Sequence, residues 1–129
     1  MQYLLDTHAV LWALLSPEKL SDDARRVIVA RSSVVVVSAV SAWEISTKQR
    51  IGKLPHAEGL VLQYAVALDR LGVDRLAITD EHALLSGGLA WSHRDPFDRI
   101  LAAQALSESM TLITVDATFQ AVDGLRTLW

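Results

Sequence analysis

The chain of 129 residues contains no cysteine, which removes disulfides, thiolate metal sites and cysteine nucleophiles from consideration. The segment after Met1 lacks the basic stretch and apolar core of a signal peptide, and no uninterrupted apolar run approaches a membrane span. A soluble, cytoplasmic protein without membrane attachment is therefore expected. Positive charge is also scarce: 12 Lys and Arg stand against 15 Asp and Glu, for a net charge of -3. That balance argues against holding nucleic acid through a bulk positive field, though it leaves room for local basic contacts. There is no internal repeat, low-complexity segment or linker. Neither His82 nor His93 has a histidine partner at ligand spacing, so both are read as surface or internally satisfied residues.

What is present is apolar. Hydrophobic residues make up 51% of the chain and charged ones 21%, a composition that excludes disorder and suggests a dense core with some apolar surface left for a partner. At this length one domain is expected, burying about two-thirds of the surface its unfolded form would expose.

Strand and helix signals alternate. Tyr3-Leu4-Leu5 reads as a strand ending at Asp6, followed by a helix carrying Ala9, Val10, Trp12, Ala13 and Leu14. Ser21 caps a second helix, and Val34 to Val37 is a strand covered on both faces. Val40, Trp43, Thr47, Ile51 and Leu54 fall at helical spacing and predict the buried face of a helix ending near Gly52. Glu58 to Leu71 reads as one amphipathic helix and Leu76-Ala77-Ile78 as a strand, with Thr79 capping a helix that stops at Gly87-Gly88. Asp95-Pro96 is a turn that opens a mostly buried helix near Phe97. Thr111 to Val115 is a strand ending at Asp116, and Leu125 to Leu128 is a last, edge strand, with Trp129 packing on the rim or on another chain. Short strand–helix connections imply an α/β fold with a mostly parallel central sheet and helices on both faces.

In such a sheet the carboxyl ends of the strands share one edge, where sites form. Asp6 and Asp116 stand at strand ends, Glu44 lies in the second turn of a helix that follows a strand, and Asp98 opens a buried helix. Each has a plain alternative: Asp6, Asp95 and Asp98 as helix caps, Glu44 as a surface partner of Lys48 four residues on. Glu44 is nevertheless too far into its helix to cap it. Several carboxylates in one cleft require a compensating cation. An all-oxygen donor set points to a hard ion, Mg²⁺ or Mn²⁺, of the kind that activates water for phosphodiester hydrolysis. Lys48, Arg50, Lys53, Arg94 and Arg99 flank the acidic segments and are candidate contacts to an RNA backbone, or else ordinary surface charge.

Four segments together carry a family pattern. Leu4-Leu5-Asp6-Thr7-His8, Ser41-Ala42-Trp43-Glu44-Ile45 with Lys48 and Gly52-Lys53-Leu54, His93-Arg94-Asp95-Pro96-Phe97-Asp98-Arg99 with Ala102-Ala103-Gln104-Ala105, and Thr114-Val115-Asp116 with Phe119 strongly resemble PIN-domain proteins. Within that family they resemble the VapC-type toxins of bacterial toxin–antitoxin pairs. The resemblance implies a single three-layer α/β/α domain over residues 1–129. It also implies a Mg²⁺- or Mn²⁺-dependent endoribonuclease that cuts structured RNA such as transfer or ribosomal RNA. Such an enzyme would form a homodimer and be held inactive by a cognate VapB-like antitoxin. Carried over by position, Asp6, Glu44, Asp98 and Asp116 would be the catalytic and metal-binding acids, Asp95 an additional metal-site acid, and Thr7 and Thr114 polar supports.

Two competing readings remain on the sequence alone. A catalytically silent PIN-fold module could hold a partner protein, but it would have no use for the mutual repulsion of the acids. A receiver-like phosphotransfer domain also places acids at strand ends, yet this chain has no second acid beside Asp6 and no lysine after its last strand.

Overall fold

The computed structural model describes residues 1–129. Five strands, β1 (Gln2–Leu5), β2 (Val34–Ser38), β3 (Asp74–Leu76), β4 (Thr111–Ile113) and β5 (Thr127–Leu128), form one sheet. Its order is β3-β2-β1-β4-β5, and every pairing is parallel. Seven helices surround it: α1 (Thr7–Leu15), α2 (Asp22–Val29), α3 (Ala39–Arg50), α4 (Glu58–Leu62), α5 (Tyr64–Leu71), α6 (Asp80–Gly88) and α7 (Pro96–Ser107). The architecture is the expected three-layer α/β/α sandwich. No helix is long and apolar enough to cross a membrane.

The strands explain the layering. Successive side chains point to opposite faces, so Tyr3 and Leu5 join Val35, Val37 and Ile113 in one core, with Ala9 and Val10 of α1, Ala24 of α2 and Leu68 of α5. Leu4 joins Val36 and Leu112 in the other, against Leu101, Ala102 and Ala105 of α7. The central strand β1 is buried on both faces, as its apolar run requires.

Several boundaries differ from the sequence reading. The predicted helix from Glu58 to Leu71 is two helices, broken at Gln63, whose backbone (φ -110°, ψ 14°) leaves the helical path. Neither proline nor glycine marks that break. The strand predicted over residues 76–78 lies two residues earlier; the Ala77 carbonyl is taken by the Gln104 side chain at 3.3 Å. β4 stops at Ile113 rather than Val115 because its partner β1 ends at Leu5, opposite Ile113. β5 is shortened to the two residues that pair with Leu112 and Ile113. The opening helix of the acidic segment begins at Pro96, with Asp95 as its cap.

The largest correction concerns α3. Its buried residues are Val40, Ser41, Glu44 and Ile45, whereas Trp43 and Ile51, placed by spacing on the inner face, are about half exposed. The physical reason is that α3 straddles the two cores, giving Val40 to one and Ile45 to the other. Glu44 thereby moves from the flank of the helix to its interior side.

Candidate active site

β1 ends where α1 begins, and Asp6 is the junction. Its Oδ1 accepts from the Ala9 amide at 2.8 Å, so the carboxylate does cap α1. Its Oδ2 accepts from the Thr114 hydroxyl at 2.5 Å. That hydroxyl also accepts from the Asp116 amide at 3.0 Å, tying the ends of β1 and β4 together. Thr7 meets the Ser41 hydroxyl at 3.1 Å, which fixes α3 against the same junction. The residues expected to support the site therefore surround Asp6, and Ser41, which the sequence reading did not single out, joins them.

Glu44 comes in from α3 and is 3% exposed. Its Oε2 accepts from Lys48 Nζ at 2.5 Å, while its Oε1 is buried with no hydrogen-bond partner. Trp43 packs edge-on against Phe97, ring centroids 4.6 Å apart, which sets α3 against the start of α7, and the charge of Glu44 acts on Asp98. Asp98 Oδ2 lies 2.7 Å from His93 Nε2, and Asp95 Oδ1 accepts from the Phe97 amide at 2.9 Å. Donor atoms of His93, Asp95 and Asp98 all fall within 4.8 Å of one another.

Electrostatics extend that group to Glu44 and Asp6. Burial pushes the Asp6 carboxyl above its ordinary value, outweighing its bonds to Thr114 and Ala9 and the charge of His8, and nearby Glu44 adds to the rise. Burial likewise pushes Asp98 up to about 6, opposed by its bond to His93 and reinforced by the charges of Asp95 and Glu44. Glu44 thus acts on both aspartates and sits electrostatically between them. Asp116 is different. It is exposed; burial is the largest single effect on it and raises its carboxyl, but the Thr118 amide and hydroxyl together with His93 and His8 outweigh that and hold it below the ordinary range. Asp6, Glu44 and Asp98 form the inner group, and Asp116 stands at its rim.

Two acids whose carboxyls are raised by burial and by the nearby charge of Glu44, together with the orphaned buried oxygen of Glu44 itself, are short of positive charge. The donors are carboxylate oxygens, so these residues fit a hard divalent cation. Asp6, Glu44 and Asp98 would hold it, and Asp95, at donor spacing from Asp98, could contribute.

The basic residues divide. Arg50, Lys53 and Arg94 are exposed, and Lys48 is engaged by Glu44. Arg99, expected on an RNA backbone, is otherwise occupied: its guanidinium donates to the carbonyls of Ser86, Leu89, Trp91 and His93 at 2.7–3.0 Å. It closes the loop before α7 on itself. His93 was read as a surface or satisfied residue, and its contact with Asp98 is the feature that reading missed; the available signal was its position just ahead of the Asp-Pro turn. His82 is indeed internally satisfied, buried with Nδ1 accepting from the Thr79 amide at 3.1 Å.

No curated protein sequence matches this chain. Among solved structures, VapBC2 from Rickettsia felis, bound to a DNA fragment from its promoter, superposes with a TM-score of 0.69 at 16% identity, covering 100% of this chain and 99% of that one. DNA-bound VapBC from Salmonella typhimurium gives 0.69 at 17% identity, with 99% and 97% covered. VapBC-1 from nontypeable Haemophilus influenzae gives 0.66 at 21%, again with 99% and 97% covered. At these identities the likeness speaks for the fold. The PIN domain family model matches residues 3–125, nearly the whole chain, and the protein belongs to the PIN-domain family.

Proposed function

We propose that this protein is a metal-dependent endoribonuclease, the VapC-like toxin of a toxin–antitoxin pair. The observation that carries the reading is the inner group of Asp6, Glu44 and Asp98, with Glu44 Oε1 buried and unpaired, on a PIN fold. A binding module would gain nothing from that group, since gathering like charges in a largely buried setting is destabilising.

None of the acids lines one of the protein's grooves, although Trp43 and Ile45, on either side of Glu44 in sequence, line one of about 330 Å³. Asp6 and Glu44 are buried, whereas Asp95 and Asp98 are half-buried and Asp116 is exposed, so the acids reach the surface without an enclosing cavity, which suits a polymeric substrate. Asp6, Glu44 and Asp98 would bind Mg²⁺ or Mn²⁺, and when bound the ion supplies an activated water and charge for the departing oxygen. The protein's own part is orientation. Asp6 is locked by Ala9 and Thr114, Glu44 by Lys48, and Asp98 by His93, so little reorganisation is needed when substrate arrives. The exposed Arg50, Lys53 and Arg94 remain candidate contacts to RNA phosphates.

The partner reading draws on the structural neighbours, which are VapBC assemblies. It draws also on apolar surface left open here: Trp43, Ile51, Leu62 and Val66 are all exposed. Such surface suits a VapB-like antitoxin and a second copy of the chain.

The test is cleavage by the complete chain freed of antitoxin. RNA should be cut with Mg²⁺ or Mn²⁺ and left intact in EDTA. Asp6→Asn and Asp98→Asn should each lower the rate by at least about 100-fold; a wild-type rate in either would overturn the site assignment. Sequencing RNA ends after brief expression would identify the target.

A further inference from the structure

We propose that His93 is a direct nitrogen donor to a divalent cation held together with Asp95 and Asp98, and that it biases the site toward Mn²⁺ over Mg²⁺. The proposal rests on the metal-dependent reading above and adds a donor of a different element to it.

The geometry is close to closed. Metal bonds of about 2.1 Å place two donors on one ion no more than roughly 4.2 Å apart. The donor atoms of His93, Asp95 and Asp98 already lie within 4.8 Å of one another, so shifts of a few tenths of an ångström suffice. His93 Nε2 and Asp98 Oδ2 are hydrogen-bonded at 2.7 Å, and exchange of that shared proton for an ion needs only a small separation, to about 3.0 Å, to make them adjacent donors. Asp95 uses Oδ1 to cap α7 and makes no hydrogen bond through its other oxygen.

A separate observation bears on the charge around Asp98. Glu44 is 3% exposed, its Oε1 has no partner, and its charge acts on Asp98. A cation beside Asp98 gives that oxygen a counter-charge.

The imidazole is also presented rather than loose. Its ring packs at 4.8 Å from Trp91, and its carbonyl accepts from Arg99 Nη1 at 3.0 Å. Three further Arg99 bonds, to Ser86, Leu89 and Trp91, fix the loop from behind. Arg99 is thus a positioning residue for His93. Carboxylates and water serve Mg²⁺ well, whereas an imidazole nitrogen shifts preference toward first-row transition ions, of which Mn²⁺ is the most tolerant of oxygen donors.

The experiment is pulsed electron paramagnetic resonance of Mn²⁺ bound to the complete chain, purified free of partner and RNA, with binding constants from calorimetry. Wild type should show ¹⁴N modulation at bound Mn²⁺ that becomes a ¹⁵N pattern on uniform labelling. His93→Gln, with an unchanged circular dichroism spectrum, should lose it. Its Mn²⁺ affinity should fall by about 10-fold or more, and its Mg²⁺ affinity by less. Bound Mn²⁺ without nitrogen modulation, or modulation that persists in His93→Gln, overturns the proposal and leaves the oxygen-donor nuclease standing. Nitrogen modulation in a chain that cuts no RNA supports the proposal and overturns the nuclease reading. A chain that binds no Mn²⁺ overturns both.

Discussion

Asp98 sits partly buried near Glu44 and Asp95, and burial with repulsion lifts its carboxyl from 3.8 to about 6. The sign of that shift sets a pH response. A group whose folded pKa is raised contributes stability that is complete below its unfolded value, near 4, and lost as pH rises through about 6. Asp6 is shifted in the same direction. In chelator, the protein should therefore melt lower at pH 7 than at pH 5, by on the order of 5 °C. Mg²⁺ or Mn²⁺ should remove the difference, and Asp98→Asn should reduce it, leaving the share due to Asp6; scanning calorimetry across that window checks all three. A melting temperature that rises from pH 5 to 7 in chelator would contradict the assigned shift. At this scale the sequence was informative about position and silent about engagement. Asp6 could be placed at a strand end because an apolar run stops there. Both its cap role and its link to Thr114 turned out to hold at once, which residue spacing cannot reveal. Arg99 carries the same letter as an RNA-binding arginine, and only the fold shows four carbonyls already occupying it.

At the scale of elements, the loop between α6 and α7 depends on that arginine more than on its own residues. A lysine at position 99 presents one compact ammonium in place of a planar fork and cannot reach four carbonyls together. Arg99→Lys should destabilise the fold by about 2 kcal/mol, measured by urea denaturation, because some carbonyls lose their donors. An unchanged midpoint would mean that water replaces the guanidinium at no cost. The parallel strands and the helix of Asp98 were legible in the sequence because their apolar runs are short, pure and bounded by turn residues. α3 was not. Its inner face is defined by two cores at once, so a single 3.6-residue stripe through Trp43 and Ile51 chose the wrong side. The break at Gln63 was equally hidden, since tertiary placement sets it and no proline or glycine announces it.

Across the whole molecule, both cores meet through the central sheet, and Leu112 of β4 is fully buried in one of them. Leu112→Ala should cost about 2–5 kcal/mol in equilibrium denaturation; a loss below about 1 kcal/mol would show that the sheet relaxes into the void. The layer order was readable from the alternation of strand and helix, whereas the convergence of the acids required the strand order, with β1 between β2 and β4. That order has a further effect during synthesis. The bond from Thr114 to Asp6 joins residues 108 apart, and β1 has no β4 to pair with until most of the chain exists. A nascent chain emerging from the ribosome therefore carries no finished centre, and for a protein proposed to cut RNA, catalytic competence arrives only after β4 and Thr114 have been synthesised and have left the ribosome.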